Sequence, residues 1–249
     1  MAAEKRHLRH APIIEALIDL RVPPAAELPP DIQAILRDRV PAEFAMETLG
    51  MSETHLEVVK GVPSVGQTRQ VTRGYVFKSN DGARLAQFRL DGFTFNRLRP
   101  YVSFEEMRDQ ALDLWRVYVD AFNPSRVTRV AVRYINHLRL PAPVGDLARF
   151  LTAPPTPPPG LREGHVIAGF LARVSVINPQ TGISAHVTHA LDQSLQPGEA
   201  VILLDIDVYT AVEYEPHDAR LQGILEKLRD MKNITFFESV TEEATALWQ

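Results

Sequence analysis

The chain has 249 residues, 45% of them hydrophobic and 23% charged, with a formal net charge of -4. That is enough length for a sizeable core, and the charge offers no general attraction to nucleic acid or to an anionic membrane. With no cysteine, disulfides, thiolate metal ligands and a cysteine nucleophile are excluded. Glu15 and Asp19 interrupt the only apolar run near the N-terminus, and no stretch approaches the roughly 18 apolar residues of a membrane helix. The expectation is a cytoplasmic protein without a membrane span.

In chain order, residues 11–22 alternate, with Ile14, Ala16, Ile18, Leu20 and Val22 on one side and Glu15, Asp19 and Arg21 on the other. That period of two predicts a strand with one buried and one polar face. Pro23 and Pro24 end it, Pro29-Pro30 open a helix carrying Ile32, Ile35, Leu36 and Val40, and Pro41 closes that helix. Strands are predicted over 54–59, 74–78 and 83–90, the last continuing toward Arg97, with Asn80-Asp81-Gly82 supplying a tight turn. Ser103 followed by Glu106 marks a capping box. The helix after it presents Phe104, Met107, Ala111, Leu114, Trp115, Tyr118 and Phe122 on one stripe and stops at Asn123-Pro124.

A central strand follows over 126–140, with Val130, Val132, Tyr134, Leu138 and Leu140 on one side and Arg129, Arg133, His137 and Arg139 on the other. Leu147, Phe150 and Leu151 predict a short helix, and the prolines between Pro154 and Pro159 a stiff loop. Strands return over 165–177, 183–191 and 200–212, the last carrying Asp205 and Asp207 on its polar face. A helix over 218–232 is predicted to stop at Asn233. An extended piece with Phe236 and Phe237 and a final turn capped by Thr241 complete the chain.

The order strand, helix, three strands, helix occurs twice. The reading is an internal duplication, with halves 1–125 and 126–249 sharing one continuous domain. The expected fold is α+β: β-α-β-β-β-α halves forming one long antiparallel sheet, with helices on one face and the other face open. That architecture resembles the TATA-binding-protein saddle. The opening strands of the two halves are expected near a pseudo-twofold axis, offering Glu15 and Asp19 to Arg129 and Arg133 across the joint. More specifically, APIIEALIDLRV at 11–22, FNRLRPY at 95–101, LWRVYV at 114–119, RVAVRYIN at 129–136 and the closing FFESVTE resemble a sporadically distributed bacterial family of unknown function. The resemblance spans nearly the whole chain and implies no activity.

Several groups are candidates for chemistry. Arg97 and Arg99, just ahead of the capped helix, read as an anion clamp near a helix N-terminus or as arginines pairing at the sheet edge. Arg129, Arg133 and His137, with Asp205 and Asp207, read as cross-strand ion pairs or as an acid-base cluster. Glu15 and Asp19 belong to the same polar surface. His186 and His189, three apart in a strand, point to opposite faces and cannot chelate together. No nucleotide loop, nucleophile elbow or zinc-helix motif occurs, so no catalytic residue, metal ligand or cofactor is expected. Three functions remain open: a binding or accessory module using the open sheet face or a protein or self interface, a nucleic-acid-binding saddle using Arg129, Arg133, Arg139 and Arg173, and an enzyme acting on an anionic small molecule.

Overall fold

A computed structural model describes residues 1–59, 62–141, 146–161, 165, 167–192 and 199–249, without the side chains of residues 51–71, 141 and 192. Among the described residues nine antiparallel strands form one sheet: β1 (Ile13–Arg21), β2 (Phe44–Val59), β3 (Val62–Ser79), β4 (Arg84–Arg89), β5 (Gly92–Leu98), β6 (Arg129–Pro141), β7 (Leu171–Ile177), β8 (Ile183–Asp192) and β9 (Glu199–Thr210). The order across the sheet is β2-β3-β4-β5-β1-β6-β9-β8-β7. The helices are α1 (Ile32–Arg39), α2 (Phe104–Phe122), α3 (Leu221–Ser239) and α4 (Glu242–Ala246). This is the expected α+β arrangement. Among the described residues no helix is long and apolar enough to cross a membrane.

Strand alternation builds the core. Ala16, Ile18 and Leu20 of β1, Phe93 and Phe95 of β5, and Val130, Val132, Tyr134 and Leu138 of β6 all point to the helix side and are buried. α2 lies on β4 and β5, α3 lies on β6 and β9, and α1 packs against α2. The predicted stripe of α2 is buried from Phe104 to Tyr118, joined by Val119, while its last member, Phe122, is half-buried. The Ser103 hydroxyl accepts from the Glu106 amide at 3.1 Å, and Asn123 ends the helix in a left-handed conformation, a C-terminal signature that asparagine tolerates. In the hairpin between β3 and β4, Gly82 takes φ +69, where a side chain would be strained.

β1 and β6 pair at the middle of the sheet, with Ile18 opposite Val132 and Asp19 opposite Ala131. Each has one largely apolar face, as the centre of a one-sided sheet demands; on β6 it is broken by the buried Asn136, whose Nδ2 donates to the Leu204 carbonyl at 2.9 Å.

The structure departs from the predicted elements at five places. Four strands rather than three lie between α1 and α2, and β2 and β3 run to 16 and 18 residues, longer than the alternating patches within them. Leu147–Arg149 is a single 3-10 turn, capped by the Asp146 carboxylate. β7 starts at Leu171 rather than near 165. The Pro197-Gly198 turn and Pro143 lie outside the described residues. Most consequential for the site, α3 passes through Asn233 and continues to Ser239, so Phe236 and Phe237 are helical. Asparagine inside a helix costs only about 0.7 kcal/mol relative to alanine, and the burial of two phenylalanines on the core side outweighs it. Thr241 caps the last helix as its sequence indicates, its hydroxyl accepting from the Ala244 amide at 3.2 Å.

Candidate functional site

Glu15, Asp19, Arg129, Arg133, His137, Asp205 and Asp207 lie on the open face of the sheet, around the β1-β6 seam. Asp19 is the hub. Its carboxylate accepts from Thr94 Oγ1 at 2.6 Å, Arg21 Nε at 2.9 Å, Arg129 Nη1 at 3.0 Å and Arg89 Nη2 at 3.2 Å. Arg129 reaches onward to both Asp207 oxygens at 2.8 Å, and its guanidinium lies over the Tyr209 ring, 4.5 Å from the centroid. Arg133 makes a fork to Asp205 at 2.7 and 2.6 Å. Glu15 accepts from Asn96 Nδ2 at 2.5 Å, so the anion that crosses the seam is Asp19, to Arg129, while Arg133 turns to β9. His137 lies further along β6, opposite Leu203. His186 opposes Asp207 across β8 and β9 and sits 2.8 Å from Ser175 Oγ, while His189 faces the apolar side, where burial lowers its pKa.

Burial alone would raise the Asp19 carboxyl, but the Thr94 hydroxyl and the charges of Arg21 and Arg89 hold it below the ordinary carboxylate range. A shallow cavity of about 520 Å³ above the seam is lined by Asp19, Arg21, Arg89, Arg129, Arg133 and Asp207. Its arginines are already matched to carboxylates, so the cluster is organised to fix strand register. Among the described residues no three histidine or carboxylate side chains group as metal ligands.

Arg97 and Arg99 are on the opposite side of the sheet. Arg97 lies opposite Ala16 and Arg84, on the face that carries Phe93 and Phe95, and its charge acts on Asp81. Arg99 borders a cleft of about 1120 Å³ between the N-terminal segment, the loop entering α2 and the middle of α3. The cleft wall carries six cations, Lys5, Arg6, Arg9, Arg99, Arg229 and Lys232, and one carboxylate, Glu105. Three of the cations have acidic partners. Arg6 pairs with Glu242 at 2.6 Å, Lys5 approaches Asp230 at 4.0 Å, and Arg229 reaches Asp230 and Glu105 at 3.3 and 3.5 Å. Arg9, Arg99 and Lys232 have no carboxylate within ion-pair reach among the described residues. Arg99 Nε donates to the Ile13 carbonyl at 3.1 Å, which holds the side chain at the cleft rim.

Lys232 is the most unusual of these. It is 8% exposed, donates to Asn233 Oδ1 at 2.6 Å, and its Nζ lies 3.8 Å from the centroid of the Tyr134 ring. The Tyr134 and Tyr101 hydroxyls are 2.9 Å apart, with the rings edge-on. Burial pushes the Tyr101 phenol up to about 12 and raises Tyr134 well above its usual value, so both keep their protons. Burial, reinforced by the charges of Arg229 and Lys5, lowers the Lys232 ammonium from 10.5 to about 7.

This shift fixes the sign of a pH dependence. Between about pH 7 and 10.5 the unfolded chain keeps the lysine proton and the folded chain has released it, so stability rises with pH across that window. Below it, the folded state holds a buried, unpaired charge. Lys232→Met is therefore expected to raise stability by about 2 to 4 kcal/mol at pH 6 and by much less at pH 10. Parallel urea titrations at the two pH values check this; an equal gain at both, or a loss at pH 6, would contradict it.

Sequence reasoning found Arg99 but missed Lys232, Tyr101 and Tyr134 as a group. One signal was present: Leu221, Leu225, Leu228, Lys232 and Phe236 follow helical spacing, so a lysine occupies a position on the buried stripe of α3.

Fold and geometry define an α+β sheet protein with a cation-rich cleft on its helix side. The chain matches no protein-family model and no curated protein.

Proposed function

We propose that the protein is a binding module that takes a small anionic molecule into the helix-side cleft. The observation that carries this reading is the pair of arginines without a carboxylate partner among the described residues, Arg9 and Arg99, with Lys232 beside them, around a cleft of about 1120 Å³. A cavity of that size suits a metabolite-sized ligand. The N-terminus of α2 is at the same wall, contributing Ser103 and Phe104, where backbone amides favour negative charge. Tyr101, Phe104, Phe236 and Phe237 supply apolar surface beside the charges, the mixture expected for a small organic anion rather than a bare ion.

The open sheet face supports the other readings less well. Arg129 and Arg133 are engaged by Asp19, Asp207 and Asp205, so a phosphate backbone would have to displace carboxylates already in place, which weighs against a nucleic-acid saddle. The mirror order of strands outward from β1 and β6 supports reading residues 1–125 and 126–249 as copies of one ancestral unit.

Equilibrium dialysis with inorganic pyrophosphate tests the anion cleft. Binding is expected to weaken as salt rises and to fall about tenfold or more in Arg99→Glu, the scale of one charge-assisted contact. Binding that is unchanged by Arg99→Glu but lost in Arg133→Glu would transfer the site to the sheet face.

A further inference from the structure

We infer that Lys232 is a covalent ligand site: its ε-amino group condenses with the carbonyl of a small anionic aldehyde or ketone held in the cleft, forming an imine. This rests on the anion-binding reading above and adds the chemical class of the ligand.

Three features of the geometry carry it. First, Lys232 Nζ is buried yet belongs to the cleft wall, so a molecule in the cleft reaches the amine while bulk water is limited. Second, the charges that act on the amine are cations, and the neighbouring carboxylates are already engaged. Lys5 and Arg229 act on it electrostatically, while Glu105 and Asp230 are taken by Arg229. No carboxylate is left to stabilise an ammonium ion, and the lowered pKa agrees, so a substantial share of the amine is free to act as a nucleophile near neutral pH. Third, the Tyr134 ring lies under Nζ and its hydroxyl is linked to that of Tyr101. The two phenols keep their protons; one is spent within the pair, which leaves one hydroxyl as a donor for a developing alkoxide.

The step balances without any redox partner. The nitrogen lone pair forms a bond to the carbonyl carbon while the C=O π pair moves to oxygen, which takes up a proton, giving a carbinolamine. A second proton converts that oxygen to water, the C–O bond breaks, and the nitrogen lone pair forms the C=N bond. The two hydrogens lost from the amine are those that leave in water. Arg99 and Arg9 hold the anionic end of the molecule, and Lys232 takes the carbonyl end.

Pyridoxal 5′-phosphate is a suitable probe, carrying a phosphate and an aldehyde, and pyridoxine 5′-phosphate is its control, with the same phosphate and no carbonyl. The protein is incubated with pyridoxal 5′-phosphate at pH 7 and reduced with borohydride, and the modified lysines are mapped by peptide mass spectrometry. The adduct is expected at Lys232 at least about tenfold faster than at Lys78 or Lys227, because an ordinary lysine is almost wholly protonated there, and pyridoxine 5′-phosphate should slow it. Lys232→Met should lose the adduct; as the primary readout is the site of modification in the unsubstituted chain, a folding defect in that variant does not blunt the test. If pyridoxine 5′-phosphate binds calorimetrically but Lys232 is modified no faster than the other lysines, the imine is overturned and the anion cleft stands. If the control shows no binding and Lys232 is not modified, both are overturned.

Discussion

Asp19→Ala is expected to lower stability by about 3 to 5 kcal/mol, because it removes the nearly buried carboxylate that three arginines and the Thr94 hydroxyl share. The side chain is only 7% exposed, and it holds Arg21, Arg89 and Arg129 together. Asp91 can retain Arg21 and Arg89, and Asp207 can retain Arg129, which places the loss within that range rather than above it. Asp19→Asn, which keeps the volume and the Thr94 contact but not the charge, should fall between wild type and Ala. Urea unfolding at pH 7 measures both; a loss below about 1 kcal/mol for Asp19→Ala would mean the cluster is only a surface ion pair. The depressed Asp19 pKa adds a sign: its contribution is full near neutral pH and is lost as the pH falls through and below the ordinary carboxylate range. A double-mutant cycle with Arg129→Ala should give a coupling of about 1 to 3 kcal/mol, whereas the Glu15–Arg133 pair, whose members are held by Asn96 and Asp205, should be near additive.

Trp115→Ala is expected to cost about 3 to 5 kcal/mol by leaving a large cavity under the sheet. Trp115 is 2% exposed, stacks on Tyr118 with centroids 5.1 Å apart, lies 6.3 Å from Phe93, and donates from Nε1 to the Pro216 carbonyl at 2.9 Å. The last contact ties α2 to the segment entering α3, so truncation also leaves a buried carbonyl without its donor. Trp115→Phe fills most of the space and should lose less than half as much as Ala. A cooperatively folding Trp115→Ala protein of unchanged stability would mean that the aromatic stripe of α2 is not what holds the helix on β4 and β5.

The parts of this fold that could be read from sequence are those where one physical demand acts on a short stretch. The alternation in 11–22 and 126–140 was legible because those strands occupy the centre of a sheet covered on one side only, and nearly every second position is apolar, the buried Asn136 being the exception. The start of α2 was legible because a serine hydroxyl meets an orphan amide three residues on. Elsewhere a distant contact outweighed the local signal: Asn233 reads as a stop, yet Phe236 and Phe237 have a core to enter, and the helix continues. The candidate cleft was hardest to see, since residues 5–13, 99–105 and 229–237 converge only once the sheet has formed. Arg99 was visible as a lone cation ahead of a helix, but Arg97, two residues away, looks elsewhere in the structure. Lys232 left a trace as a charge in an apolar register, the kind of local inconsistency that marks a functional position.

Anion capture by the cleft is tested most directly by soaking crystals of the protein in sodium tungstate and collecting anomalous data. The expected result is a tungsten peak on the helix side of the sheet, within hydrogen-bond reach of Arg99 or Lys232. Peaks confined to the open face around Arg129 and Arg133, with the cleft empty, would contradict it.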